Sequence, residues 1–178
     1  MRKIVLTFGL IAGGILSVMM LITIPFHDQI GFDKGLIIGY TTMVLAFLMV
    51  FFGVRSYRDN VAGGSVTFGR AFGVGLLITI VASVCYVATW QFIYYRLVPD
   101  FGDKYAAHAV EEAKKSGATD AQIAAKTREM AELNQKLKKP LVNIALTFLE
   151  PLPVGILFTL ITAVALSRKR RVQGAAIA

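Results

Sequence analysis

Glu150 stands inside an otherwise apolar run, with Asn143 and Thr147 before it on the same helical face, so it is the first residue to consider for chemistry. An ionisable group at membrane depth is costly, and such groups ordinarily face an interior or a water-filled path. The three residues would form a polar strip leading inward from one surface. The other reading is a helix cap: Pro151 and Pro153 follow at once, and a carboxylate suits the positive end of a helix dipole. Counting back from the basic tail places Glu150 just inside the far edge of a hydrocarbon core of about 30 Å, and that shallow position favours the cap.

Other reactive groups form weaker sets. His108, Glu111 and Glu112 share one helix at spacings that metal ligands use, yet on an Ala-rich exposed helix they read as a solvated face, and His27 beside Asp28 is no stronger. No metal and no cofactor is expected. The single cysteine, Cys85, excludes an intrachain disulfide, and with no membrane-embedded His beside it to act as base it reads as packing. Residues 63–72 (GGSVTFGRAF) superficially suggest a phosphate cradle. The P-loop Lys and the strand of a dinucleotide fold are both missing, so the glycines read as a turn, with Phe68 and Phe72 at an interface and Arg70 facing lipid phosphates.

These side chains are positioned by four long apolar blocks: residues 4–24, 36–54, 71–95 and 141–167. With 56% hydrophobic and 17% charged residues, and each block about the length that spans a bilayer, the class is all-α integral membrane protein. The first block lacks the small-residue exit of a signal peptide and reads as a helix. Trp90, Tyr94 and Tyr95 near the end of the third block belong at a membrane interface. Glycines four apart, Gly9 with Gly13, Gly35 with Gly39 and Gly69 with Gly73, would let helices pack closely.

The net charge of +8 need not mean nucleic acid, for which no recognition module is visible. Arg2 and Lys3, then Arg55, Arg58 and Arg70, then Arg168, Lys169, Arg170 and Arg171 flank the blocks on one side, while the first loop sets only Lys34 against Asp28 and Asp33. Both termini are therefore expected in the cytoplasm. Residues 96–140 carry nine bases against seven acids and would lie outside, since long loops cross largely regardless of charge. They read as a helical hairpin: residues 103–116 are rich in Ala, Glu and Lys, Gly117 is a stop, and Thr119 with Gln122 forms a capping-box pair. Ile123, Met130 and Leu137, with Leu133 between them, give the second arm one apolar seam. The seam would cover the first arm (Ala106, Val110, Ala113) or the same hairpin of another copy.

Four stretches together resemble an uncharacterised family of small bacterial inner-membrane proteins, known only as domain of unknown function 4199. They are residues 31–39 with Asp33 and Lys34, residues 63–75 with Val66, Thr67, Phe68 and Gly69, the Val98, Pro99, Asp100 exit of the third helix, and residues 151–155. The resemblance implies a bacterial four-helix membrane protein with an extracytoplasmic hairpin, and it brings no catalytic residue. With no convergent nucleophile, base and oxyanion set, the expected role is a non-catalytic assembly, scaffold or regulatory membrane component. Its expected partners are the lipid bilayer and a protein, or a second copy, met through the hairpin. The runner-up is a small transporter or channel subunit using Glu150. An integral-membrane enzyme ranks third.

Overall fold

An apolar run in lipid must satisfy its amide groups within itself, which a helix does along its whole length. In a computed structural model describing residues 1–167, all the secondary structure is helical. Helix α1 (Arg2–Thr23) runs through a tight turn at Ile24–Phe26 into the one-turn α2 (His27–Ile30). Gly31, at φ +75°, adopts a left-handed conformation that a side chain would resist, and this lets the chain reverse into α3 (Phe32–Asn60). Gly63 and Gly64, also at positive φ, turn it again into α4 (Phe68–Phe92), which a wide π turn carries to Leu97. Helices α5 (Phe101–Lys115) and α6 (Asp120–Leu137) precede α7 (Pro140–Leu149) and α8 (Pro151–Leu166).

Four helical stretches are long and apolar enough to cross a membrane: Arg2–Phe26, Phe32–Asn60, Phe68–Leu97 and Pro140–Leu166. The expected blocks are all there, and the second and fourth differ most from expectation. Helix α3 is longer at both ends than residues 36–54, because a helix continues into water where charged side chains such as Asp33, Arg58 and Asp59 hydrate its surface. The fourth crossing is two helices, since Pro151 and Pro153 bring no backbone N–H to the ladder. The basic tail, Arg168 to Arg171, lies outside the described residues.

Helix α4 is the hub, packed against α1, α3 and α8. Small residues set those distances. A Cβ on Gly9 would lie 2.6 Å from Val81 Cβ, and one on Gly13 would lie 2.6 Å from Cys85 Cβ, so α1 touches α4 almost backbone to backbone. Gly75 on α4 lies against Thr159 on α8, and Gly155 on α8 lies against Thr79 and Phe47. Thr79 Oγ1 hydrogen-bonds across that seam to the Gly155 carbonyl (3.4 Å) and pairs with Thr159 Oγ1 (3.3 Å). On the other side Thr89 donates to Ser17 at 2.7 Å.

The glycine expectation is corrected for two of its three pairs. A Cβ at Gly35, Gly39, Gly69 or Gly73 would meet nothing within 4 Å, so these four bring no helices together among the described residues. The spacing is a property of one helix, whereas close approach needs a neighbour on that face.

Helices α5 and α6 pack on each other, with Asn134 Nδ2 donating to Asp103 and the buried Gly102 tucked against Asn134 and the Tyr94 hydroxyl. Gly117, at φ +80°, ends the first, and Thr119 and Gln122 cap the second reciprocally. Of the apolar seam on α6, Met130 is buried and Ile123, Leu133 and Leu137 are half-buried.

Candidate functional site: a glycine-walled cavity with an acid at its wall

The two ends of the bundle differ. At the end where α5 lies, the helices splay and leave a cavity of about 410 Å³ between α1, α3, α4 and α7. Its walls are apolar for the most part, with Leu16, Met19 and Met20 from α1 and Leu36 and Met43 from α3. Gly35 and Gly39 line it as well. They have open space where a side chain would be, so the wall recedes there. The motif expected to close a helix pair keeps a hollow open instead.

An aromatic cluster closes one end. Phe32, which opens α3, packs edge-on against Phe101 and Tyr105 of α5 at ring separations of 5.7 and 5.5 Å, and Phe101 meets Trp90 of α4 at 4.9 Å. Edge-to-face contact at these distances is the favoured arrangement for aromatic rings. Lys104 ties α5 to α2, reaching Asp28 there and its own helix's N-cap Asp100 at 3.1 Å each, and those hydrogen bonds, Asp28 first, raise its pKa above the ordinary lysine value. Tyr94 is buried beneath α5 at 4% exposure, not spread on a lipid surface as expected of an interface residue. Trp90 is half-buried at the cavity, while Tyr95 and Arg70 are exposed.

Glu150 lines the cavity, and the Tyr86 hydroxyl of α4 donates to its Oε2 at 2.8 Å. The cap reading fails for the side chain: Glu150 occupies the N-cap position of α8, yet its carboxylate makes no capping hydrogen bond and is turned to Tyr86. The polar strip divides too. Asn143 is fully buried, and its amide is shared among three elements: Oδ1 accepts from Gln91 Nε2 on α4 (2.8 Å) and from Thr147 Oγ1 (3.2 Å), while Nδ2 donates to the Leu137 carbonyl at the end of α6 (3.1 Å). Asn143 is therefore a clamp, Thr147 lines the cavity but donates its hydroxyl to that clamp, and of the three Glu150 brings the ionisable group to the cavity.

A second cluster lies beside the aromatic end. Asp33 on α3 and His108 and Glu112 on α5 bring one ligand atom each to within 4.8 Å of one another, while Glu111 falls outside it, near Lys115. His108 Nε2 is 3.5 Å from Asp33 Oδ1, and its ring stacks on Phe32 at 4.9 Å. Two acids and an imidazole are a donor set that Zn²⁺ accepts, and they equally make an ion pair that joins α3 to α5.

Sequence reasoning missed Tyr86, Gln91, the cavity role of Gly35 and Gly39, and Asp33. The signal for the first was present: Tyr86, Trp90 and Tyr94 stand four apart, an aromatic row down one face of α4.

Four helical stretches long and apolar enough to cross a membrane, around a cavity with an acid in its wall and with all-helical structure among the described residues, are the pattern of a multi-pass membrane protein. The chain belongs to the family described as protein of unknown function (DUF4199), which it matches over residues 7–168. No curated protein and no solved structure matches it.

Proposed function

We propose that this protein is a non-catalytic component of a bacterial inner membrane that binds a lipid-like guest in the cavity and serves assembly or regulation rather than chemistry. Both termini lie in the cytoplasm in this reading, and α5 with α6 forms an extracytoplasmic hairpin whose outer surface is offered to a partner. The observation that carries it is the wall built from Gly35 and Gly39: two residues without side chains hold open an apolar volume within the range of ligand pockets, at the foot of the hairpin. Glu150 and Tyr86 alone supply no nucleophile, base and oxyanion arrangement.

The test uses Trp90, the sole tryptophan, which lines the cavity. Bromodecanol, whose bromine quenches indole fluorescence on contact, is expected to quench Trp90 saturably in the full-length protein in nanodiscs. Gly39→Leu, whose Cβ would meet nothing within 4 Å and whose side chain would enter the cavity, is expected to abolish the saturable part while the helical circular dichroism is kept. Equal quenching of both proteins would remove this reading.

Glu150 facing the cavity favours a second reading, a transporter subunit. Glu150→Gln would then change a pH-dependent flux in proteoliposomes, and no flux from either protein would set it aside. Four crossings are few for alternating access, so that reading also requires an oligomer.

A further inference from the structure

The carboxylate of Glu150 is without a countercharge. Tyr86 donates to Oε2, and no described residue gives Oε1 a hydrogen bond or Glu150 an ion pair. None of the residues lining the cavity is Lys, Arg or His. Glu150 keeps part of its surface open at the cavity, and a carboxylate among apolar walls gains most from a cation, which no described residue brings. Six aromatic rings line the same cavity, those of Phe32, Tyr40, Tyr86, Trp90, Phe101 and Tyr105. Ring faces attract ammonium groups, and more so where water is scarce. The remaining wall suits a flexible chain, since Met19, Met20 and Met43 adapt their shape to what lies against them.

We propose that the guest is an amphiphile with a protonated amine head, its ammonium seated on Glu150 among the Tyr and Trp rings and its hydrocarbon tail along the Met-rich wall of α1 and α3. This rests on the cavity reading above and adds the head-group chemistry to it. Two sources share that chemistry, a free long-chain amine and an aminolipid of the bilayer such as phosphatidylethanolamine.

The experiment compares decylamine, decanol and decanoic acid as competitors that relieve the saturable bromodecanol quenching of Trp90 in the full chain, held in nanodiscs of phosphatidylglycerol, a lipid without nitrogen, with each competitor expressed as its mole fraction in the bilayer. The amine is expected to bind about tenfold more tightly than the alcohol, with the acid weakest, the gain of an ammonium on a carboxylate and aromatic faces. Glu150→Gln is expected to bring the amine down to the alcohol. Equal binding of amine and alcohol by the unaltered protein, or an amine preference that survives Glu150→Gln, overturns the proposal. Failure of the cavity itself is distinguishable, because Gly39→Leu would then leave the bromodecanol quenching unaffected. Adding phosphatidylethanolamine to the nanodisc separates the sources: relief of the quenching by the lipid alone identifies the aminolipid, and quenching that persists identifies the free amine.

Discussion

Asn143 and Glu150 show how one polar side chain at membrane depth is kept. The amide of Asn143 spends its oxygen on two donors and one N–H on a carbonyl, so burial leaves it satisfied. Asn143→Leu would strand Gln91 and the Leu137 carbonyl together. A loss of about 1–3 kcal/mol is expected for each buried polar group left unmade, read as a lower midpoint in denaturant titration of the detergent-solubilised protein. Tyr86→Phe removes the hydroxyl that meets Glu150 and is expected to cost a similar ~1–3 kcal/mol, whereas Glu150→Gln keeps an acceptor for Tyr86 and is expected to cost less; the reverse order would mean that the hydroxyl is not what holds the acid. The 143, 147, 150 spacing was legible because it is local to one helix. Its partners were not, because Gln91 and Tyr86 lie 52 and 64 residues away on α4, where facing depends on how the helices pack.

At the scale of the element, the decisive contrast is between glycines that look alike. Gly13→Ala places a methyl 2.6 Å from Cys85 Cβ, and overpacking of this kind typically costs about 1–3 kcal/mol. Gly69→Ala and Gly73→Ala meet nothing, and by helix propensity alone they are expected to be neutral or to stabilise by up to about 1 kcal/mol. Thermal unfolding of the three variants side by side tests the assignment, and equal losses would contradict it. Sequence periodicity located the helices well because length and apolarity settle that question in lipid. It could not separate Gly9 and Gly13, which face α4, from Gly35 and Gly39, which face a hollow. The third crossing likewise starts earlier than the apolar run suggests, because Phe68, Gly69 and Arg70 already follow helical geometry outside the oily stretch, with Thr67 extended just before them.

For the molecule as a whole, orientation is the property on which the proposed roles of both ends depend. Arg2, Lys3, Arg55, Arg58 and Arg70 mark the start of α1, the end of α3 and the start of α4, and the cavity lies near the opposite ends of these helices. In the orientation proposed above, which the positive-inside rule supports, the cavity and α5 with α6 lie on the far side. In a Cys85→Ser background, a cysteine at Ser116 is expected to react with a membrane-impermeant maleimide on intact cells, and one at Ser65 only after permeabilisation. The inverse pattern would turn the molecule over and take the hairpin out of reach of any external partner.

The joint between α7 and α8 has a mechanical meaning. Pro151 and Pro153 release the carbonyls of Thr147 and Leu149 from the helical ladder, and the backbone bond across the joint, from Glu150 N to Thr147 O, is long at 3.4 Å. The fourth crossing is thus two rods joined where the ladder is weakest. One rod is coupled through Asn143 to α6, the other is locked into α4 through Gly155 and Thr159. A shift of the outer pair is expected to bend the crossing at Glu150 before it moves α8.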